Sequence, residues 1–284
     1  MTDAAQHTAG LGGDYARELS VAAQLAAETG PLVMRYFHGD DLTVEMKPGD
    51  EPVTVADRAA SELIVAGMSR AFADDVIISE ENADDLRRLT AKRVWYIDPI
   101  DGTKAFIKHR EGFCVMIGLT VDHTPVVGAL YAPISRRLFV AARDCGAWLI
   151  TEDGERQRMH ASTIDDPRDI RLVASANNRT ETIDQVKSAL GINTELNIGS
   201  VGLKLALIAL GERDLYVNPG SKCKSWDTCG PEIVLAEAGG KLTDVFGEPL
   251  RYDERDMVRS RGLIATNGRV HEAVVAKTAP LFPR

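Results

Sequence analysis

The sequence lacks the cysteine and histidine patterns of a zinc-binding or disulfide-bonded protein. Its four cysteines form no C-x-x-C pair, and no two histidines stand at ligand spacing. A structural zinc site is therefore excluded. Reduced thiols, as in a cytosolic protein, are the expected state of the cysteines.

Segments that would direct the chain to a membrane are also missing. The N-terminus, MTDAAQHTAGLGGDYARELS, has neither a basic leader nor an apolar h-region. The longest apolar runs, such as CVMIGL, fall far short of the roughly 20 residues that a spanning helix needs. The sequence thus predicts a cytoplasmic protein that is neither exported nor membrane-embedded.

Positive charge is in deficit, with a formal net charge of −9. The field of such a protein repels polyanions, which argues against nucleic acid or an acidic membrane as the main partner. A small anion can still bind where the charge near its site is locally inverted. Internal repeats and low-complexity tracts are absent as well.

The composition that is present is typical of a soluble globular protein. The 284 residues are 44% hydrophobic and 26% charged, enough for one large domain of two packed lobes. We expect an α+β lobe over residues 14–150 and an α/β lobe over 151–284, with residues 1–13 flexible. Because no linker separates the lobes, we expect them to share an interface; the sequence leaves a homodimer open.

Apolar spacing predicts the elements of each lobe. A helix is expected over 14–37, with a kink or interruption at Gly30-Pro31. Short buried strands are expected over 76–79 and 93–97, each followed by carboxylates. The region from 113 to 150 predicts an antiparallel meander, and strands alternate with helices after it. These patterns predict the fold class α+β / α/β, with an α/β lobe packed on an α+β lobe.

The stretch WYIDPIDGTKAFI places Asp98 and Asp101 three residues apart at the end of a predicted strand. Together with the Ile100 carbonyl between them, the two carboxylates form the kind of oxygen cluster that Mg²⁺ prefers. Gly102 and Thr103 add backbone N–H groups that can donate hydrogen bonds to a phosphate. The alternative is that both aspartates only end the strand and cap the next helix.

Other acids raise the same pair of alternatives. Glu80 and Glu81 follow the strand at 76–79 and are either a solvated pair or metal ligands at a strand end. Asp57 and Asp227 each precede an apolar helical run, where spacing favours a helix cap. If these acids converge, their mutual repulsion requires divalent cations, which also draw in an anionic substrate.

Four segments resemble the motifs of one family. WYIDPIDGTKAFI and SWDTCGPEIVLAEAGG are similar to two signatures of the lithium-sensitive, magnesium-dependent phosphatases related to inositol monophosphatase. ISEEN and PVTVAD resemble its other two motifs, in the same order, so that the resemblance covers roughly residues 14 to 268. It implies the layered α-β-α-β-α fold of the sugar phosphatase group and two or three Mg²⁺ ions in each site.

The resemblance also implies roles for individual residues. The metal ligands would be Glu80, Asp98, the Ile100 carbonyl, Asp101 and Asp227. Asp57 and Thr103 would orient and activate the attacking water, with Glu81 in support. The substrate would be bound by Gly102, Thr103, Lys104, Ser200, Lys204 and Asp227.

Within the family, Lys104 and the segment GSVGLKLALIALG resemble the CysQ branch, the 3'(2'),5'-bisphosphate nucleotidases. Those enzymes hydrolyse adenosine 3',5'-bisphosphate to AMP and phosphate, which clears a by-product of sulfate assimilation. Lys204 matches the lysine of the branch motif G-S-x-x-L-K, where a cation can meet the second phosphate. Its alternative is a solvated lysine on the polar face of a helix.

The resemblance predicts a phosphomonoesterase in which a metal-activated water attacks the 3'-phosphate directly. One alternative is an inositol, histidinol or fructose-bisphosphate phosphatase on the same scaffold. The other is a non-catalytic metal or nucleotide binder. The presence of both Asp57 and Thr103 favours an enzyme, because a binder has no need to position a water.

Overall fold

The computed structural model of the chain describes residues 4–39, 43–47, 51–176, 180–220 and 222–283. Short 3-10 helices accompany the α-helices of these ranges. The α-helices are α1 (Ala4–His7), α2 (Ala16–Phe37), α3 (Val55–Ala71), α4 (Thr103–Ile107), α5 (Glu181–Leu190), α6 (Val201–Ala209), α7 (Ser225–Glu237) and α8 (His271–Thr278).

The strands form a two-stranded hairpin and two larger sheets. The hairpin pairs β1 (Val44–Lys47) with β2 (Glu51–Thr54). The seven-stranded sheet contains β3 (Val76–Ser79), β4 (Arg93–Asp101), β5 (Cys114–Val121), β6 (Thr124–Ala132), β7 (Arg137–Ala142), β8 (Gly146–Ile150) and β9 (Arg156–Arg158). The five-stranded sheet contains β10 (Arg171–Ser175), β11 (Thr194–Ile198), β12 (Leu215–Asn218), β13 (Lys241–Thr243) and β14 (Leu263–Thr266).

The seven strands of the first sheet lie in chain order. β3 pairs with β4 in parallel, and every later pair is antiparallel, so β4 to β9 form a meander. β5, β6 and β7 are buried on both faces, which explains why their sequences are continuous apolar runs rather than alternating ones. Because β9 belongs to this sheet, the sheet extends past the lobe boundary predicted at residue 150.

The second sheet has the order β11-β10-β12-β14-β13. β10 is parallel to both β11 and β12, whereas β14 is antiparallel to its two neighbours. The parallel strands are joined by helices, as such crossovers require.

The helices and sheets stack in five layers around three large apolar clusters. α2 and α3 cover one face of the seven-stranded sheet, and α6 and α7 lie between the two sheets. α5 and α8 cover the outer face of the five-stranded sheet. This is the layered α-β-α-β-α arrangement, and the predicted fold class is confirmed.

α7 lies directly on the backbone of β5 and β6. A Cβ atom on Gly118 would be 2.4 Å from the nitrogen of Gly230, and one on Gly128 would be 2.3 Å from its oxygen. Only glycine permits so close an approach of helix to sheet. The contact fixes the start of α7, and with it Asp227, near the end of β4.

One local expectation, an interruption of the first long helix at Gly30-Pro31, differs from the structure, and the flexibility of residues 1–13 stays a prediction. α2 runs without interruption through Pro31; a proline inside a helix costs about 3 kcal/mol, and the apolar face that α2 buries against the sheet offsets it. The segment expected to be flexible over 1–13 contains α1, and Arg156 donates to the carbonyls of Gln6 and Ala9. The first three residues of that segment lie outside the described ones.

Two absences concern the described residues only. None of their helices combines the length and the apolar character needed to cross a membrane. The four cysteines, all of them described, are unpaired thiols.

His271, at the start of α8, is buried between two threonines. Thr243 donates its hydroxyl proton to the carbonyl of Asp244 at 2.8 Å, so its oxygen accepts from His271 Nε2 at 3.0 Å. Nδ1 then accepts from Thr266 at 3.0 Å. These hydrogen bonds stabilise the neutral form of the imidazole ring. Burial lowers the pKa of His271 to about 4, and the charge of Lys241 adds to this effect.

This burial predicts a loss of stability in acid. Between pH 6.5 and 4 the unfolded chain binds a proton at His271 that the folded chain does not, so the contribution of His271 to the free energy of unfolding falls as pH falls, by up to about 3 kcal/mol. In urea unfolding from pH 7.5 to 4.5, the free energy of unfolding of the wild type should therefore fall relative to that of His271→Gln. The exposed His160→Gln serves as control and should follow the wild type; equal pH slopes for wild type and His271→Gln would contradict the prediction.

Candidate active site

One pocket forms where the end of β4, the hairpin and the starts of α4, α6 and α7 meet. Both carboxylates and lysines line its wall. The charged residues that line it are Glu51, Glu80, Asp98, Asp101, Lys104, Lys204, Lys222, Lys224 and Asp227.

Three carboxylates form a compact cluster in this pocket. Asp98, Asp101 and Asp227 each offer one oxygen, and these atoms lie within 4.8 Å of one another. The pairing of β4 with β5 shifts register between Asp98 and Asp101, at the proline that follows Asp98. The main-chain N–H of Ile100 donates to Asp98 Oδ1 at 3.0 Å. The turn therefore points both aspartates of the stretch at one place.

The start of α6 holds Asp101 in position. Ser200 donates its hydroxyl to Asp101 Oδ2, and the main-chain N–H of Gly202 donates to the same oxygen at 2.7 Å. Ser200 is fully buried, and its own N–H donates to the carbonyl of Gly112. The structure thus turns Ser200 towards Asp101, whereas the sequence placed it at the substrate.

Asp57 and Asp227 take part in helix caps, and Asp227 also lines the pocket. Thr54 donates its main-chain N–H to Asp57 Oδ2 at 2.7 Å, and this bond belongs to the capping box of α3. The N–H of Lys224 donates to Asp227 Oδ2 at 2.6 Å at the start of α7. Each carboxylate still has a second oxygen for the site. The capping alternative is therefore present in the structure, and it leaves a second carboxylate oxygen for the predicted role in the site.

Thr103 connects Asp57 to the end of β4. Its hydroxyl lies 3.4 Å from Asp57 Oδ1 and 3.1 Å from the carbonyl oxygen of Ile100. Gly102, which precedes it, has φ of 101°, a value that side chains rarely adopt. Asp57 does not line the pocket itself, so its contact with the site runs through Thr103.

Burial and crowding raise the proton affinity of the acids. Burial, then the neighbouring acids, raise the pKa of Asp227 to about 8 and that of Asp98 well above its usual value. Burial raises the pKa of Glu80 to about 7 against the opposing charge of Lys47. Such a cluster cannot ionise fully without counter-charge. Its oxygen-only donors fit a hard divalent cation such as Mg²⁺.

Glu80 and Glu81 are paired with a lysine that sequence reasoning missed. Lys47 Nζ, at the end of β1, lies 3.3 Å from Glu80 Oε1 and 2.6 Å from Glu81 Oε1. Glu80 lines the same pocket as the three aspartates but lies outside their compact cluster. No local pattern joins residues so far apart in the chain; only the pairing of β1 with β2 over the site brings them together.

Lys204 is neither solvated nor on a polar helix face. It is 1% exposed and lines the pocket, and it donates to the carbonyls of Ile198 and Gly199 at 3.3 and 2.8 Å. Its ammonium lies 5.0 Å from the ring centre of Tyr216. Burial lowers the pKa of Lys204 to about 8, although Asp101 opposes the shift. The solvated-lysine alternative is wrong for this residue.

Comparison with known proteins agrees with this architecture. The 3'(2'),5'-bisphosphate nucleotidase CysQ of Escherichia coli (strain K12) is 34% identical over 247 residues, which are 86% of this chain and 97% of that protein. CysQ from Bacteroides thetaiotaomicron superposes with a TM-score of 0.76 at 26% identity, over 89% of this chain and 97% of that one. The IMPase of Thermotoga maritima superposes with a TM-score of 0.78 at 25% identity, over 93% and 96%.

The sequence model of one protein family also matches this chain. It matches residues 14–281, a range that contains every acid of the pocket described above. The chain therefore belongs to the inositol monophosphatase family, whose enzymes are phosphatases that generally use Mg²⁺.

Proposed function

We propose that the protein is a Mg²⁺-dependent phosphatase that removes the 3'-phosphate of adenosine 3',5'-bisphosphate to give AMP and phosphate. The observation that carries the proposal is the compact cluster of Asp98, Asp101 and Asp227 beside the buried cation of Lys204 in one pocket. Acids suited to metal and a lysine suited to a second phosphate are both needed for this substrate. The CysQ names of the relatives support it.

The acids of the pocket are assigned to Mg²⁺. We assign two or three ions to Glu80, Asp98, Asp101, Asp227 and the carbonyl oxygen of Ile100. When bound, Mg²⁺ neutralises the acids, polarises the phosphate and lowers the pKa of an attacking water. Ser200 and the N–H of Gly202 keep Asp101 in its orientation throughout.

Thr103 and Asp57 then prepare the water. A hydroxyl has one proton to donate and can accept another. When Thr103 donates to Asp57 Oδ1, its oxygen can accept from the attacking water. Burial raises the pKa of Asp57 to about 6, against the hydrogen bonds from Thr54, which suits a base near neutral pH. Glu81 supports the site by holding Lys47.

The remaining contacts position the substrate. The N–H groups of Gly102 and Thr103 at the start of α4 are assigned to the transferred phosphate, and Asp227, besides binding metal, is assigned to the substrate outside that phosphate. Lys104 and Lys204, which both line the pocket, are assigned to the rest of the substrate. Direct contact of Ser200 with the substrate is the weakest of the predicted contacts, since its hydroxyl already donates to Asp101.

The proposal includes a cellular role. Removal of adenosine 3',5'-bisphosphate is a task of sulfur metabolism, and we assign the protein to the cytoplasm on that basis. Small phosphorylated molecules are its partners, and a homodimer is compatible with the fold.

A substrate panel tests the proposal. Phosphate release from adenosine 3',5'-bisphosphate, inositol 1-phosphate, histidinol phosphate and fructose 1,6-bisphosphate is measured at matched Mg²⁺. We expect kcat/KM to be at least about tenfold higher for the nucleotide, because a site with buried cations discriminates against substrates that leave them unpaired. Equal or faster turnover of another substrate would identify a sugar or histidinol phosphatase on the same scaffold, and no turnover with retained Mg²⁺ binding would identify a binder.

A further inference from the structure

An ion pair joins two walls of the pocket at its rim. Lys224 Nζ lies 2.8 Å from Glu51 Oε2, and both side chains line the pocket. Glu51 is the first residue of β2, whereas Lys224 precedes α7. The side chains are 28% and 24% exposed, respectively, so molecules that enter the pocket can reach the pair.

Lys224 is anchored beside the acid cluster, and its ammonium pairs with Glu51 at the rim while its charge also acts on Glu80 and Asp227. The main-chain N–H donates to Asp227 Oδ2 at 2.6 Å. The ammonium lies at the far end of a four-carbon side chain, 5.2 Å from the ring centre of Trp226. One group of a substrate can thus be at the acids while another meets this ammonium. A nucleoside bisphosphate has two such groups, because two phosphates are attached to different positions of its ribose.

The second phosphate needs counter-charge from lysines, because the metals serve the phosphate that is cleaved. Lys204 already donates to two carbonyls and lies close enough to Asp101 for its charge to act on that acid. Lys224 is different, since its partner is a carboxylate on the neighbouring hairpin. A phosphate has more acceptor oxygens and more negative charge than a carboxylate, so it can replace Glu51 at this ammonium.

We propose that the Glu51–Lys224 ion pair selects substrates with a second phosphate, which displaces the Glu51 carboxylate from the Lys224 ammonium. The inference rests on the proposed function and adds a determinant of specificity to it. Without substrate, Glu51 holds the ammonium at the rim and neutralises it. A nucleotide that lacks the second phosphate leaves the pair intact and gains nothing from it.

Paired substrates isolate this effect. Adenosine 3',5'-bisphosphate and 3'-AMP have the same scissile phosphate and differ only in the second one. The quantity measured is the ratio of their kcat/KM values in the wild type, Lys224→Met, Lys224→Arg and Glu51→Gln. Lys277→Met, an exposed lysine on α8, is the matched control and should keep the wild-type ratio.

The ratio of the kcat/KM values, bisphosphate over 3'-AMP, should change in opposite directions in Lys224→Met and Glu51→Gln. Loss of a charge-assisted contact in Lys224→Met should lower it about tenfold, and Lys224→Arg should restore most of it. Glu51→Gln should raise it about threefold, because the ammonium no longer has a competing partner. Thermal unfolding of each variant shows whether it is folded.

Other outcomes overturn the inference. If the wild type favours the bisphosphate and Lys224→Met keeps that preference, the proposed function stands and the inference is wrong. If Glu51→Gln lowers the ratio as Lys224→Met does, the pair only holds the hairpin in place, and displacement is excluded. A wild-type ratio near one overturns the proposed function and this inference with it.

Discussion

Replacing Asp57 by asparagine is expected to lower kcat by about 10²- to 10⁴-fold, the range for removal of a positioned general base. The asparagine oxygen can still accept the N–H of Thr54, so α3 keeps its cap and the fold is retained. The amide cannot take up the proton that Thr103 passes on. Steady-state phosphate release, together with Mg²⁺ titration by calorimetry, should show lost turnover with metal binding kept.

The pH profile and a matched control strengthen this test. With the Asp57 pKa at about 6, the carboxylate is ionised above that pH, so wild-type kcat/KM should fall as pH decreases through 6. Glu62→Gln makes the same chemical change on the exposed face of α3 and should leave the rate unchanged. An unchanged rate in Asp57→Asn would mean that this residue is a helix cap only.

Asp98→Asn is expected to abolish Mg²⁺-dependent turnover and to stabilise the metal-free protein above neutral pH. The raised pKa values of Asp98, Asp227 and Glu80 mean that the folded chain holds protons that the unfolded chain releases. The contribution of these acids to the stability of the metal-free wild type therefore decreases as pH rises from about 4 to about 8. Removing one charge should raise the free energy of unfolding of the metal-free protein by at least about 1 kcal/mol at pH 8, since one pKa unit corresponds to about 1.4 kcal/mol.

Without metal, Asp98→Asn should be more stable than the wild type at pH 8, and addition of Mg²⁺ should make the wild type the more stable of the two. A ligand at about 100 times its dissociation constant stabilises the folded state by about 2.7 kcal/mol, and only the wild type should show such an increase with Mg²⁺. Urea unfolding at pH 5 and 8, with Mg²⁺ or EDTA, measures both effects. Asp169→Asn, an exposed acid far from the pocket, should behave as the wild type does. An Asp98→Asn variant with full activity and an undiminished Mg²⁺ response would refute the metal assignment.

Local sequence signals predicted the acids of the site, but they did not show that one carboxylate can cap a helix with one oxygen and have the other available to the site. The spacing of Thr54 and Asp57 indicates a capping box, and the box is present. The same spacing cannot tell that the second carboxylate oxygen faces Thr103, because that contact depends on how α3 packs against the end of β4. Asp227 repeats the pattern at α7. In both cases cap and site were read as alternatives, although a carboxylate has an oxygen for each.

Long-range pairs left no signal in the sequence. Lys47 and Lys224 meet their ion-pair partners Glu80, Glu81 and Glu51 only because the hairpin folds over the pocket, and these partners lie at least 33 residues away in the chain. Lys204 was predicted either at the substrate or in solvent. Its burial follows from its position on the helix between two sheets, which no single helix pattern shows. Many strands and helices were predictable because continuous apolar runs and helical periodicity are local properties, whereas their layered arrangement was predicted from the resemblance to the family.

The acid cluster takes residues from both halves of the chain, and this affects how it is assembled during translation. Asp98 and Asp101 leave the ribosome with the first sheet, whereas Asp227 follows only after most of the second half has been made. Until then the nascent chain presents the apolar sheet face that α6 and α7 later cover, a surface of the kind that recruits chaperones. Docking of α7 buries this face and brings Asp227 to Asp98 and Asp101 in the same event. The complete cluster of three carboxylates therefore exists only once α7 has docked.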